Sequence, residues 1–340
     1  MAYYQLRAML VILLSPLFIL PLAPAQQSQT TLFPVEQGGK YGYIDASGVV
    51  IIPFTFDYAW DFHDSLARVK ISDRCGYINA NGEMVIRPKY DSIHADNFSE
   101  GLGQAGELRS NGYIDASGKM VIPATFFSTG KFSEGMAHVE PTPMSWGFID
   151  RDGKLVIPAI YADFPCDFHE GVACVKKDGK YGFVDKQGDI AIPFQYEQAL
   201  DFAEGVAPAE IKKKWGYTDH GGSLVIPPVF DLAWSFEEGL APAKLNEKWG
   251  FIDHSGLWVV PPQFDEVNGF GEELASVRVG RKWGYIRKDG TFALLPQFDD
   301  GWRFSGGLSE VRIGARWALI DKNGTVIWKS DKDDDLYTDE

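Results

Sequence analysis

The chain has 340 residues, of which 45% are apolar and 14% aromatic, enough to build an extensive core. Its formal charge of −15 disfavours nucleic acid and anionic membrane surfaces as partners, because both repel a polyanion. No zinc-like ligand spacing, phosphate-cradling glycine loop, nucleophile elbow or nucleotide fingerprint is present, so the composition and motifs suit a binding protein without cofactor or metal better than an enzyme.

Residues 1–25 read as an export signal. Arg7 supplies a positive n-region, an apolar stretch runs from Ala8 to Leu22 with Pro16 and Pro21 inside it, and Ala23-Pro24-Ala25 is a small-x-small cleavage site. Cleavage is expected between Ala25 and Gln26. The rival is an uncleaved anchor, for which about 15 residues with two prolines is short against the ~20 of a membrane span. The mature protein is therefore expected in the periplasm or outside the cell. In such an oxidising compartment the odd count of Cys75, Cys166 and Cys174 leaves open whether Cys166 and Cys174 pair, while Cys75 stands at an aromatic position and reads as a buried hydrophobe.

From residue 26 to 330 the chain repeats. Aromatic-Gly-aromatic steps recur at Tyr41-Gly42-Tyr43, Trp146-Gly147-Phe148, Tyr181-Gly182-Phe183, Trp215-Gly216-Tyr217, Trp249-Gly250-Phe251 and Trp283-Gly284-Tyr285, with degenerate copies at Cys75, Asn111 and Ala318. Successive glycines are 34 to 36 residues apart. Each step starts an alternating strand that ends in an Asp-x-x-Gly turn, as in Asp253-His254-Ser255-Gly256. There the Asp side chain accepts backbone N–H groups and Gly tolerates positive φ. A β-branched strand follows, such as Leu155-Val156-Ile157-Pro158, and its proline marks a strand end or a sheet edge. A connection of about ten residues carries Phe-x-Glu-Gly, as in Phe236-Glu237-Glu238-Gly239, and leads into a third strand such as Leu240 to Lys244. Nine three-stranded meanders fill the mature chain, and residues 331–340 form an acidic tail expected to be disordered.

Together these motifs resemble the WG (Trp-Gly, or KWG) repeat family of bacterial, often exported, proteins, over about residues 32 to 328. The resemblance implies an all-β repeat array and brings no catalytic residues with it. Three strands in 34 residues favour an open, curved superhelical array over a β-propeller-like ring, whose blades usually carry four strands; a short fourth strand in the connection would reverse that choice.

The polar residues recur in register, whereas a catalytic site is asymmetric. The turn aspartates Asp45, Asp115, Asp150, Asp185, Asp219, Asp253 and Asp321 read as turn formers. The acidic position at Asp64, Glu100, Glu134, Glu170, Glu204, Glu238 and Glu272 reads as a cap or a hydrogen bond to the next strand. A carboxylate-dependent glycan hydrolase and a calcium-stabilised envelope protein stand as alternatives. The six histidines show no ligand spacing and read as surface imidazoles. Variation inside the repeat points elsewhere. Three residues after the Asp that follows Val-Ile-Pro stand Trp60, Trp234 and Trp302, where other units have His94, Gly130, Pro165, Leu200 and Asn268. A freely changing position does not hold a common core. These tryptophans are the candidate contacts for a protein or glycan partner, the competing role being packing between units beneath the connection.

Overall fold

The computed structural model describes residues 31–91, 97–107 and 110–333; the expected signal segment with its Ala25/Gln26 cleavage point, His94 and residues 334–340 lie outside them. The described residues form nine small antiparallel sheets, with no helix among them, arranged as the blades of a ring. The blades occupy 32–56, 58–91, 98–126, 128–161, 172–196, 198–230, 232–264, 266–298 and 300–329.

Seven blades have four strands, because the connection does contribute a short extra strand, such as Ser128–Thr129, Gln198–Ala199 or Asp300–Gly301. This overturns the expected three-stranded open array in favour of the propeller-like ring. Only two residues of most connections pair, too few to show a strand period. The second and third strands of each blade are almost wholly buried, as in Leu66–Ile71 and Arg74–Ile78. The Val-Ile-Pro strand is mostly accessible, with Val50 48% and Ile51 44% exposed, so it forms the rim. The short strands face the axis. There Arg303 of the ninth blade reaches over the eighth to pair with Glu237 of the seventh at 2.5 Å. Gly269 lies beneath that bridge, and a Cβ there would sit 2.0 Å from Glu237.

The aromatic-Gly glycine has a steric cause. A Cβ on Gly216 would meet the Ile226 carbonyl oxygen at 2.5 Å, and one on Gly250 the Val260 oxygen at 2.4 Å. The rim strand bulges at its proline: Trp215 pairs with Phe230 and Tyr217 with Ile226, a jump that presses the rim backbone onto the glycine. Of the two expected roles of this proline, the sheet edge is the one observed: the rim strand runs through it, as in Leu224–Phe230, and does not end there. Proline is tolerated because a rim strand needs no outward N–H bond. The last blade has neither feature. Its rim strand Val326–Lys329 contains no proline, Ala318 pairs with Lys329 and Leu319 with Trp328, and the position of the glycine accepts a methyl group.

Three repeated contacts join neighbouring blades. In the first, the second aromatic of the step packs tilted or edge-on against the Phe of the next Phe-x-Glu-Gly, from Tyr43–Phe62 to Tyr285–Phe304, at eight consecutive boundaries with centroids 4.8–5.1 Å apart. In the second, the repeated carboxylate accepts a backbone N–H of the following blade: Asp64 from Gly101 (2.7 Å), Glu134 from Gly171 (2.9 Å), Glu272 from Gly307 (3.1 Å). Six of these residues have φ of 51–54°, a left-handed backbone that aims the side chain across the boundary. The expected hydrogen-bonding role is observed, but its partner is the turn glycine of the following blade and not the next strand. The cation at the second turn position completes the contact, as in Lys186–Glu134 (3.0 Å), Lys322–Glu272 (3.0 Å) and, after Arg287 in place of the Asp, Lys288–Glu238 (3.2 Å). In the third, the Asp after the rim strand bridges the Lys before its own blade's aromatic-Gly step and a hairpin N–H of the next blade. Asp265 accepts from Lys248 (2.5 Å) and Gly280 N (2.7 Å).

Among the described residues the ring closes without strand exchange. Phe33 and Val35 of the first blade pack with Leu308 and Leu319 of the ninth, and the Gly38 N–H donates to Asp331 at 3.0 Å. Asp333 pairs with Arg316 at 2.6 Å, so residues 331–333, read as tail, lie against the ring. Cys166 and Cys174 are free thiols on adjacent segments, with the Cys166 N–H donating to the Cys174 carbonyl at 2.9 Å.

The steric account makes Gly250→Ala destabilising by about 1–3 kcal/mol, as overpacking does. Ala318→Gly is expected to cost about 1 kcal/mol or less, the conformational penalty alone. Denaturant midpoints of the two variants test this, and equal losses would remove the bulge as the cause. The carboxylate contacts set a pH limit. Lysine hydrogen bonds hold Asp57, Asp231 and Asp265 below the ordinary 3.8. For Glu134 and Glu272 partial burial opposes the shift, but the lysine and glycine bonds outweigh it and keep both below 4.5. Groups with lowered folded values stabilise fully above their unfolded values and lose that contribution as pH falls. Melting temperature is therefore expected to hold from pH 7 to about 5 and fall below about 4.5. Combining Asp265→Asn with Glu134→Gln should flatten the fall; thermal scans across that range decide it.

Candidate functional site

The carboxylates that repeat are committed to structure. Each turn Asp accepts from two backbone N–H groups, Asp253 from Ser255 and Leu257 at 2.9 and 3.1 Å, which leaves its charge folded into the turn. Among the described residues no three His, Cys, Asp or Glu side chains converge as a metal site requires. The histidines are less uniform than their sequence positions imply. His138 is buried and lies 3.2 Å from Asp167, contrary to the surface reading. His220 and His254 occupy one repeat position, the cation after the turn Asp, and pair with Glu170 (2.9 Å) and Glu204 (3.3 Å).

The variable positions gather at the inner strands. Trp234 and Trp302 line one cavity of about 340 Å³ that spans the seventh, eighth and ninth blades, together with Trp249, Trp283, Glu266, Asn268 and Asp300. Trp249 and Trp283 are the buried first aromatics of their steps, and Trp249 lies 4.8 Å from Trp234. Trp234 and Trp302 are 40% and 53% exposed. Trp302 is held in place by its backbone: its N–H donates to Glu310 O (3.0 Å), while its carbonyl accepts from Tyr285 (3.0 Å) and Ser309 (2.7 Å). The same tyrosine clasp from the preceding blade fixes Trp234, through Tyr217 at 2.8 Å, and Trp60, through Tyr43 at 2.8 Å.

Trp60 sits apart from that cavity's lining. It is half-buried, packs on the core of the second blade, stacks on Tyr58 (4.5 Å), and is covered by the Arg68 guanidinium 3.8 Å from the ring centroid. Arg68 comes from the facing position of the second strand. In the ninth blade the same register, Gly301 with Val311 as Ala59 with Val69, places Glu310 opposite Trp302. Although Glu310 reaches solvent, the protein crowded round it, and after that the charges of Asp61 and Asp300, hold its carboxyl above the ordinary range. Its carboxylate has no hydrogen bond or ion pair among the described residues, whereas Glu266 is paired with Arg278 at 2.6 Å.

The structure also corrects one alignment. The extra residue between Tyr161 and Phe168 makes Cys166, not Pro165, the counterpart of Trp234, since Cys166 N donates to Cys174 O as Trp234 N does to Pro242 O. The readable signal that sequence reasoning passed over is the third residue of the Leu-Ala-x strand. It changes as freely as the tryptophan position it faces: Arg68, His138, Cys174, Pro208, Pro242, Ser276, Glu310.

Comparison with known proteins follows the same geometry. The model described as "WG containing repeat" matches residues 41–75, 76–105, 112–140, 146–181, 181–215, 215–249, 249–283 and 283–317. Most matches run from one aromatic-Gly step to the next, so they straddle a blade boundary, and eight of them fit between nine steps. No curated protein matches the chain. Among solved structures, a crystal structure of the eukaryotic initiation factor aligns at 11% identity and TM-score 0.60, covering 88% of this chain and 96% of that one, a likeness of fold alone. BamB from Moraxella catarrhalis aligns at 11% identity with TM-score 0.43, covering 87% and 98%; Hsv2 from Kluyveromyces lactis aligns at 12% and 0.40, covering 57% and 75%. The matched repeats cover most of the sequence, and the chain belongs to the WG-repeat family, folded as a nine-bladed β-propeller.

Proposed function

We propose that this ring is a non-catalytic binding or scaffold module that works in the periplasm or outside the cell and recognises a protein or glycan partner through the inner-strand tryptophans. The observation that carries the reading is the cavity across three blades, where Trp234 and Trp302 remain open to solvent although their backbones are fixed by tyrosine hydrogen bonds. A fixed aromatic ring binds at low entropic cost, since little freedom is left to lose. Against a glycan hydrolase stands the use of the repeated glutamates as inter-blade contacts. Export is supported by the Arg7, apolar stretch and Ala23-Pro24-Ala25 pattern.

The test is an array of peptides and glycans probed with residues 26–340 and with a Trp234→Ala, Trp302→Ala double variant of equal melting temperature. Binding that falls at least tenfold in the variant is expected. A wild-type binding profile retained by the variant would remove the site. Export is checked separately: a fusion of residues 1–30 to a reporter should be found outside the cytoplasm and cut after Ala25.

A further inference from the structure

The second and ninth blades build one inner-strand site with opposite charge. In the second blade the tryptophan face is occupied by the protein's own guanidinium, Arg68 at 3.8 Å from the Trp60 ring. In the ninth blade the strand register is the same, the tryptophan is more exposed, and the facing residue is Glu310. One blade therefore shows what the indole at this position takes on its face, and the other leaves its indole exposed with a carboxylate-bearing residue at the facing register position.

The charges nearby point the same way. Glu266 is matched by Arg278 and Glu237 by Arg303, while Asp300 has Arg312 as its strand partner. Glu310 has no such match among the described residues, and Asp61 and Asp300 lie close enough to act on it. An indole face with an uncompensated carboxylate attracts a planar, weakly hydrated cation more than a neutral sugar, because ring quadrupole and charge act together. The net charge of −15 adds a long-range pull on a basic partner.

We infer that the Trp302–Glu310 site binds an arginine side chain of a basic protein segment, the external guanidinium taking the place that Arg68 takes on Trp60. This deepens the binding function proposed above and rests on it. The mimicry is intramolecular in one blade and intermolecular in the other.

The experiment uses residues 26–340 and four Gly/Ser decapeptides carrying three arginines, three lysines, three citrullines or three glutamates, with a neutral glycan panel alongside; tryptophan fluorescence gives Kd. The arginine peptide is expected to bind at least tenfold more tightly than the citrulline peptide and to weaken as salt is raised. Glu310→Arg, which rebuilds the second-blade pattern and lets the chain cover its own Trp302, should abolish that binding, while Glu310→Gln should reduce it. Circular dichroism confirms that each variant stays folded, and Trp302→Phe provides a second variant of the ring itself. Equal affinity for arginine and citrulline peptides, or arginine binding unchanged in Glu310→Arg, overturns the inference. A glycan bound through Trp302 with no arginine preference overturns it too, but leaves the binding site standing. Loss of every Trp302-dependent ligand removes both.

Discussion

The fold depends on one aromatic contact made between blades. The second ring of each aromatic-Gly-aromatic step and the Phe of the next Phe-x-Glu-Gly meet near 5 Å at eight boundaries, with rings tilted or edge-on, the arrangement that ring quadrupoles favour. A repeat unit of this size cannot bury its hydrophobic faces alone, and stacking on neighbours gives it a core. It becomes stable when both its faces are covered, and this contact fixes how neighbours lie. The carboxylate bonds and lysine bridges then hold the angle between successive blades from the second to the ninth, and that repeated angle brings the two ends of the chain together. The bulged proline and its glycine allow the rim strand to fit so closely against the third strand.

Much of this was legible in the sequence. The turn aspartates, the left-handed glycines, the structural use of Glu134 and its equivalents, and the burial of Cys75 all follow from local chemistry repeated in register. Closure did not. A ring and a superhelix differ by a few degrees per blade, and no single residue states that angle. The inner strand was also hidden, because a pair such as Ser128–Thr129 shows no alternation and is a strand only through its partners Glu140 and Val139. Insertions before Phe98 and Phe168 shifted the count, which is why Pro165 stood in for Cys166. The site was half legible. The variable tryptophans were found from their irregularity, but their grouping of Trp234 with Trp302, and the separation of Trp60, depends on which blades adjoin.

The division between recurring and varying positions has a physical basis. Recurring side chains point into boundaries, where every blade meets the same neighbour and one solution serves all. The inner strands face one another across the axis instead, and each blade contributes to a shared, unsymmetrical surface. Residues there are free of the packing rule and can carry a different charge or ring in every blade. Arg303 reaching Glu237 over Gly269 shows that this surface links blades that are not neighbours in the ring.

The joint between the ninth and first blades differs from the other eight. Leu319 replaces the aromatic ring, Gly306 the carboxylate, and among the described residues no strand from one end completes the sheet of the other. Everywhere else a peptide link also ties the neighbours, whereas among the described residues this joint rests on packing and the Gly38–Asp331 bond. Opening this joint therefore breaks the fewest interactions and gains the most chain freedom. It is the natural gate of the circle, and the tryptophan at residue 302 belongs to one of the two blades that form it.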